Sequence, residues 1–130
     1  MSIVLGQRSL SRLEGVHPDL VRVVKKAAAM SPLDFTVLEG LRTVDRQRQL
    51  MAAGATKTMN SRHLTGHAVD LAPMIGGTVR WDWPLYNQLA AVVKDAAKAE
   101  NVSVTWGGDW RTFKDGPHWE LPWKVYPKGK

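Results

Sequence analysis

A helix pattern passes directly into a strand pattern in residues 84–106, PLYNQLAAVVKDAAKAENVSVTW. Up to residue 100, apolar side chains recur at the three- and four-residue steps of one helix face; they are Leu85, Leu89, Val92, Val93 and Ala96. Residues 102–106 then alternate between apolar and polar side chains, as a strand does. Because a helix and a strand follow each other so closely, this stretch predicts a mixed fold.

The rest of the chain repeats this mixture of patterns. Further helices are predicted over 10–30, with the main helix starting near Pro18, and over 43–53, with Thr43 as a cap. Short strands are predicted over 35–38, 67–72 and 118–121, with a strand or hairpin arm over 78–81. Pro73 is expected to end the strand before it. The predicted class is α+β, a single small domain with helices packed on a mostly antiparallel sheet.

Length and composition exclude several classes of protein. The chain has 130 residues, which suits one domain, and no Cys, which excludes disulfide frameworks, thiolate metal sites and Cys nucleophiles. A metal site must therefore use His and carboxylates. No stretch approaches the ~20 apolar residues that a membrane span needs. Residues 121–130 are expected to form a loose tail.

The net charge of +6 favours polyanionic partners, namely nucleic acid, anionic lipid or an anionic cell-wall polymer. A merely solvated basic surface is the more common explanation of such a charge. The first fifteen residues, MSIVLGQRSLSRLEG, do not have the pattern of a secretory signal. We therefore expect the protein to stay in the cytosol unless something else releases it.

Two segments combine His with carboxylates. The first is residues 61–70, SRHLTGHAVD, and the second is residues 115–120, DGPHWE. Two His and one carboxylate can hold zinc and leave its fourth position open for water. A metal held in this way lowers the pKa of that water to roughly 7 and polarises a carbonyl group.

Spacing indicates which side chains could converge. His63 and Asp70 are seven residues apart, an odd offset that would place them on opposite faces of a regular strand. They can meet only if the chain bends between them, and Gly66 allows a bend because it adopts positive φ without penalty. His67 lies three residues before Asp70, so on a regular strand it faces away from Asp70. His63 and Asp70 are therefore the better pair, and His67 is not needed as a ligand.

The second segment contains a tight turn. Asp115 and His118 flank Gly116 and Pro117, so the turn can bring the Asp115 carboxylate beside a metal without making it a ligand. A general base needs that placement.

Each of these residues also has an ordinary structural explanation. A lone His in a small protein is more often a surface or satisfied core group, and this holds for His17 and His67 in particular. Asp70 could cap a turn, and Asp115 beside a glycine could simply form one. Periodicity and spacing alone therefore leave the metal site open.

The motif Ser61-x-His63-x-x-Gly66-x-Ala68-x-Asp70, followed by Asp115-x-x-His118, resembles the signature of the zinc D-Ala-D-Ala carboxypeptidase and dipeptidase superfamily. This group includes the vancomycin-resistance peptidases. Within it, the chain is most similar to phage endolysins of the L-alanyl-D-glutamate endopeptidase type. The segments that carry this likeness are residues 9–18, SLSRLEGVHP, and residues 106–121, WGGDWRTFKDGPHWEL.

The resemblance implies a set of roles. His63, Asp70 and His118 would be the ligands of Zn²⁺, Asp115 the general base, and Arg42 a contact to substrate or to the developing oxyanion. The superfamily often has Glu at the base position, whereas the endolysin branch has Asp, as here. Glu120 and Ser61 are candidates for orienting the ligands. Independently of the resemblance, the six Trp could bind sugars, but core and cleft-wall packing is the more common role.

The resemblance also implies an activity. The enzyme would cut the L-Ala–D-Glu bond of the peptidoglycan stem peptide as a monomer, without nucleic acid or stable membrane association. It would wait in the host cytoplasm and reach the periplasm after release by a holin. The whole chain, 1–130, would be one zinc peptidase domain of the hedgehog and D,D-peptidase fold, with no separate cell-wall-binding domain.

Two alternatives stay open. One is a D-Ala-D-Ala carboxypeptidase or dipeptidase of the same superfamily. The other is a non-catalytic basic module for nucleic acid, in which Arg22, Lys25 and Lys26 on the helix from Pro18 would track phosphates.

Overall fold

The computed structural model describes residues 3–54, 61–112 and 114–127. The helices are α1 Gln7–Arg12, α2 Pro18–Met30, α3 Val44–Ala52 and α4 Trp83–Ala99. The strands are β1 Phe35–Glu39, β2 Ala68–Ile75, β3 Thr78–Val79, β4 Thr105–Trp106 and β5 His118–Glu120. Short 3₁₀ helices lie at Arg62–Thr65 and Gly107–Asp109. None of the described helices is long and apolar enough to cross a membrane.

The strands form one antiparallel sheet in the order β1-β2-β5-β4, and β3 pairs with the far end of β2 as a hairpin. Helices α2 and α4 pack against each other, and α4 also contacts β2. Between the layers lies an apolar core, and a fully buried Leu there contributes about 2 kcal/mol by leaving water. The core includes Leu20, Val23, Leu71, Leu89 and Trp119. The predicted α+β class, with helices packed on an antiparallel sheet, is confirmed.

Local sequence signals explain where two of the helices begin. Pro18 occupies the first turn of α2, and the side chain of His17 accepts a hydrogen bond from the backbone N–H of Asp19 at 3.1 Å. The hydroxyl of Thr43 caps α3 by accepting from the N–H of Arg46 at 3.1 Å. Both starts were predicted from the sequence and are confirmed.

Two predicted strand ends are wrong. Strand β2 continues through Pro73. The missing N–H of Pro73 lies on the β5 side of β2, where the pairing with β5 has ended at Asp70. On the opposite side, beside β1, Met74 N donates to Asp34 O. The strand predicted over 102–106 shrinks to β4. The first residues of that segment instead end α4, where the N–H of Val102 donates to Ala97 O.

The C-terminal segment was predicted to be loose, but the described part of it is attached to the domain. The buried guanidinium of Arg62 donates to Leu121 O at 2.8 Å and to Tyr126 O at 2.5 Å, and it lies 4.1 Å above the ring of Trp123. In addition, the Tyr126 hydroxyl donates to Asp19 Oδ2 at 2.7 Å. Residues 128–130 lie outside the described residues.

Candidate metal centre

Three side chains from separate parts of the chain converge on one point. Asp70 on β2 lies opposite His118 on β5 in the strand register, and His63 reaches the same place from the 3₁₀ helix before β2. Asp70 Oδ1 is 3.2 Å from His63 Nε2 and 3.4 Å from His118 Nδ1. One ligand atom from each of the three lies within 4.8 Å of the others, so the group could hold a metal ion.

A bend in the chain brings His63 over Asp70. The hydroxyl of Ser61 accepts from His63 N at 3.2 Å and starts the short helix, and Gly66 ends it in the left-handed conformation with φ of 76°. A Cβ at Gly66 would lie 2.3 Å from Gly15 O, so no side chain fits there. The bend at Gly66 that the odd spacing required is therefore present.

Both imidazoles are fixed in orientation by a hydrogen bond from the nitrogen that faces away from Asp70. His63 Nδ1–H donates to Gly40 O at 2.8 Å, and His118 Nε2–H donates to Glu120 Oε1 at 2.7 Å. The remaining nitrogens, Nε2 of His63 and Nδ1 of His118, point at Asp70. Partners of this kind fix the tautomer of metal-binding histidines. The donor set therefore fits a divalent cation such as zinc.

The electrostatics of the cluster match a cation site. Burial alone would raise the pKa of Asp70, but hydrogen bonds from His118 and His63 hold it well below its usual range. Burial alone would lower the pKa of His118, but hydrogen bonds to Asp70 and Glu120 and their charges outweigh it and raise the pKa to about 9. In the metal-free protein at neutral pH, a proton on His118 thus supplies the positive charge that Asp70 faces.

His67 lies apart from this cluster. Its Nδ1 is hydrogen-bonded to Thr65 Oγ1 at 2.6 Å, and its ring packs 5.4 Å from the ring of His17. Burial, followed by the charges of Arg62 and His17, lowers the pKa of His67. The structure brings neither His67 nor His17 to the three converging ligand atoms.

Asp115 lies in the turn that leads into His118. The turn is closed by Asp115 N donating to Gly107 O at 3.1 Å and by His118 N donating to Asp115 O at 3.2 Å. A Cβ at Gly107 would lie 2.4 Å from Asp115 O, so the turn requires glycine at that position. Burial, and then the charge of Asp70, raises the pKa of Asp115, against the charges of His118, His63 and Arg42.

Arg42 is held at the site by hydrogen bonds from its backbone and its side chain. Its backbone N–H donates to His63 O at 2.9 Å. Its guanidinium donates from Nε to Glu39 Oε1 at 2.9 Å and from Nη1 to Gln47 Oε1 at 2.7 Å, and Nη2 also contacts Glu39. Sequence reasoning missed Glu39 and Gln47 as partners of Arg42. Gln47 is a polar residue on the inner face of a helix, where it is completely buried. That placement of a polar residue was the one signal for its role.

The tryptophans lie in the core, beside the site and on the exposed surface. The rings of Trp106 and Trp119 are stacked in the core with centroids 5.7 Å apart, whereas Trp110 lies over the ring of His118 at 5.0 Å. Trp81 and Trp83 are exposed. Trp110 therefore forms a wall of the site, whereas the exposure of Trp81, Trp83 and Trp123 departs from the expected core and cleft-wall positions.

Comparisons with known proteins show the family of the chain. The family model described as phage L-alanyl-D-glutamate peptidase matches residues 1–121. The chain belongs to this family. It is 34% identical to the L-alanyl-D-glutamate peptidase of Escherichia phage T5 over 88% of the chain and 87% of that protein. It is 32% identical to the peptidoglycan L-alanyl-D-glutamate endopeptidase CwlK of Bacillus subtilis over 75% of the chain and 66% of that protein.

A solved structure shows the same fold. The L-Ala D-Glu endopeptidase ChiX of Serratia marcescens superposes with a TM-score of 0.89 at 50% identity, over 93% of this chain and 91% of that one. The resemblance stated from the motifs is confirmed at the level of family and fold.

Proposed function

We propose that the protein is a zinc-dependent peptidoglycan endopeptidase that hydrolyses the L-Ala–D-Glu bond of stem peptides. The observation that carries this proposal is the convergence of His63, Asp70 and His118 within 4.8 Å, in a chain of the L-alanyl-D-glutamate peptidase family. The two named endopeptidases above, CwlK and ChiX, support the choice of bond.

Zinc would be held by Nε2 of His63, Nδ1 of His118 and the carboxylate of Asp70. When bound, it would acidify a water molecule in its open fourth position and polarise the scissile carbonyl. The choice of zinc rests on this donor set of two imidazoles and one carboxylate, which suits tetrahedral coordination with one position free.

Asp115 would act as the general base. Its carboxylate leaves the same turn as the ligand His118, and burial and the neighbouring Asp70 raise its pKa, which makes it a stronger base. It would take a proton from the attacking water and return that proton to the leaving amine of D-Glu. Such transfer contributes roughly 10²- to 10⁴-fold in rate.

Arg42 would stabilise negative charge on the substrate. Its side chain is only 10% exposed, and its guanidinium is held in place by hydrogen bonds to Glu39 and Gln47. A cation fixed in this way is already oriented before the tetrahedral oxyanion develops, and that is why it lowers the barrier.

We place the activity in phage-induced lysis, because one relative is an L-alanyl-D-glutamate peptidase of Escherichia phage T5. The protein would act as a monomer on the cell wall in the periplasm, after a holin releases it from the host cytoplasm. Its charge of +6 would favour contact with the anionic envelope. The nucleic-acid alternative has less support, because Arg22 pairs with Asp19 at 2.6 Å and with Glu100 at 3.4 Å.

Product analysis distinguishes the proposed bond from the D-Ala-D-Ala alternative. Purified peptidoglycan digested with the zinc-loaded protein should gain L-Ala carboxyl ends and D-Glu amino ends in equal amounts. Chelated protein should give neither, and added zinc should restore both. Release of free D-Ala without these ends would identify a carboxypeptidase instead.

A further inference from the structure

Tyr86 lies on α4 beneath the turn that carries Asp115. Its side chain is only 4% exposed, and a Cβ on Gly116 would lie 3.1 Å from its ring, so the turn rests directly on the ring face. Trp83 covers another part of the ring, with centroids 5.8 Å apart. The phenol is therefore fixed in position by packing.

The Tyr86 hydroxyl has no hydrogen-bond partner among the described residues, although it is fully buried. A buried donor without a partner destabilises a fold, and Phe would fill the same space without that cost. In contrast, the hydroxyl of Tyr126, the other tyrosine, donates to Asp19 at 2.7 Å. The hydroxyl of Tyr86 is thus not explained by the folded structure alone.

The turn that packs on the Tyr86 ring also carries an acceptor without a donor. Within the described parts of the chain, the Asp115 carboxylate receives no side-chain hydrogen bond, and its backbone bonds only shape the turn. Burial, and then the charges of Asp115 and Asp70, raise the pKa of Tyr86 to about 12. The hydroxyl therefore keeps its proton at any pH at which the enzyme would work and remains a donor.

We propose that Tyr86 is a positioning residue for Asp115, whose hydroxyl donates to the Asp115 carboxylate when substrate is bound and holds it toward the attacking water. This inference rests on the proposed function, in which Asp115 is the general base. Hydrogen bonds of catalytic groups are often long in the free enzyme and tighten in the substrate complex. The unpaired donor and the unpaired acceptor seen here fit that behaviour.

The test compares Tyr86→Phe with the matched control Tyr126→Phe in the zinc-loaded full chain. For Tyr86→Phe we expect kcat to fall about tenfold or more, the effect of one hydrogen bond to a charged group. KM, bound zinc and Tm should be unchanged, or Tm slightly higher. For Tyr126→Phe we expect the reverse, namely a lower Tm and an unchanged kcat.

Two results would overturn the inference. One is a kcat of Tyr86→Phe within twofold of the unsubstituted protein. The other is a joint fall of Tm and activity, which would mean that the hydroxyl is bonded within the fold. Asp115→Asn, measured in parallel, separates this inference from the proposed function. If Asp115→Asn stays active, the general base is misassigned, whereas an inactive Asp115→Asn beside a normal Tyr86→Phe refutes only the role of Tyr86.

Discussion

Glu120 Oε1 accepts a hydrogen bond from Nε2–H of His118 at 2.7 Å, and the two residues share one face of β5. The bond leaves Nδ1 of His118 directed at Asp70. Likewise, Gly40 O accepts from Nδ1–H of His63, which leaves Nε2 of His63 directed at Asp70. Both imidazoles are therefore oriented by the fold, so the ring nitrogens that would bind a metal ion already point inward.

Removing the partner of His118 should weaken metal binding. We expect Glu120→Ala to lower zinc affinity about 10- to 100-fold, because the His118 ring loses the acceptor that fixes its tautomer. Glu120→Gln keeps an acceptor, so its zinc affinity should lie between those of Glu120→Ala and the unsubstituted protein. A competition titration against a chromophoric chelator measures the change, with the exposed Glu14→Gln as control. Equal affinities in all four proteins would show that Glu120 does not orient the ligand.

The restraint on Arg42 should matter for activity and not for metal content. Gln47→Leu removes the acceptor of Arg42 Nη1, so we expect kcat/KM to fall about tenfold, the effect of one hydrogen bond to a charged group. Bound zinc should be unchanged. Gln49→Leu on the exposed face of α3 is the matched control and should retain full activity. If both variants lose activity equally, the cause is a general loss of helix stability.

Metal binding should release a proton from His118. The pKa of His118 is raised to about 9 in the metal-free protein, so its ring is protonated at neutral pH, and Nδ1 must lose that proton to bind zinc. The apparent zinc affinity should therefore rise about tenfold per pH unit between pH 6 and 8. Calorimetry in buffers of different ionisation enthalpy measures the released protons. An affinity that is independent of pH over this range would contradict the assigned protonation.

The buried Arg62 should hold the C-terminal segment. Arg62→Met removes the donors to Leu121 O and Tyr126 O, and we expect the free energy of unfolding to fall by about 2–3 kcal/mol. Urea unfolding measures this, with the exposed Arg8→Met as control. Unchanged stability in Arg62→Met would mean that the segment from residue 122 onward contributes little to the fold.

The sequence predicted those features of the fold that depend only on residues close together in the chain. The cap at Thr43, the start of α2 at Pro18 and the need for a bend at Gly66 all follow from the conformational preferences of one or a few consecutive residues. The pairing of His63 with Asp70 also follows once that bend is granted. Their grouping with His118, however, came from the resemblance of the motifs to a known family.

What the sequence did not reveal depends on contacts between distant segments. The attachment of the tail requires Arg62 and Tyr126 to meet across 64 positions, and no periodicity encodes such a contact. Pro73 continues a strand only because of which side of β2 its nitrogen faces. Likewise, the helix pattern does not single out Tyr86, and its role emerges only when the turn at Gly116 is placed on its ring.

The most direct test of the central claim, a metal site with Asp115 as its base, is Asp115→Asn assayed for bound zinc and for wall lysis. We expect near-normal zinc and a loss of lysis of about 100-fold or more, because Asn cannot accept the proton of the attacking water. His63→Ala should lose the metal itself, and His67→Ala should keep it. Loss of zinc in Asp115→Asn, or full lysis without the carboxylate, would contradict the role assigned to Asp115.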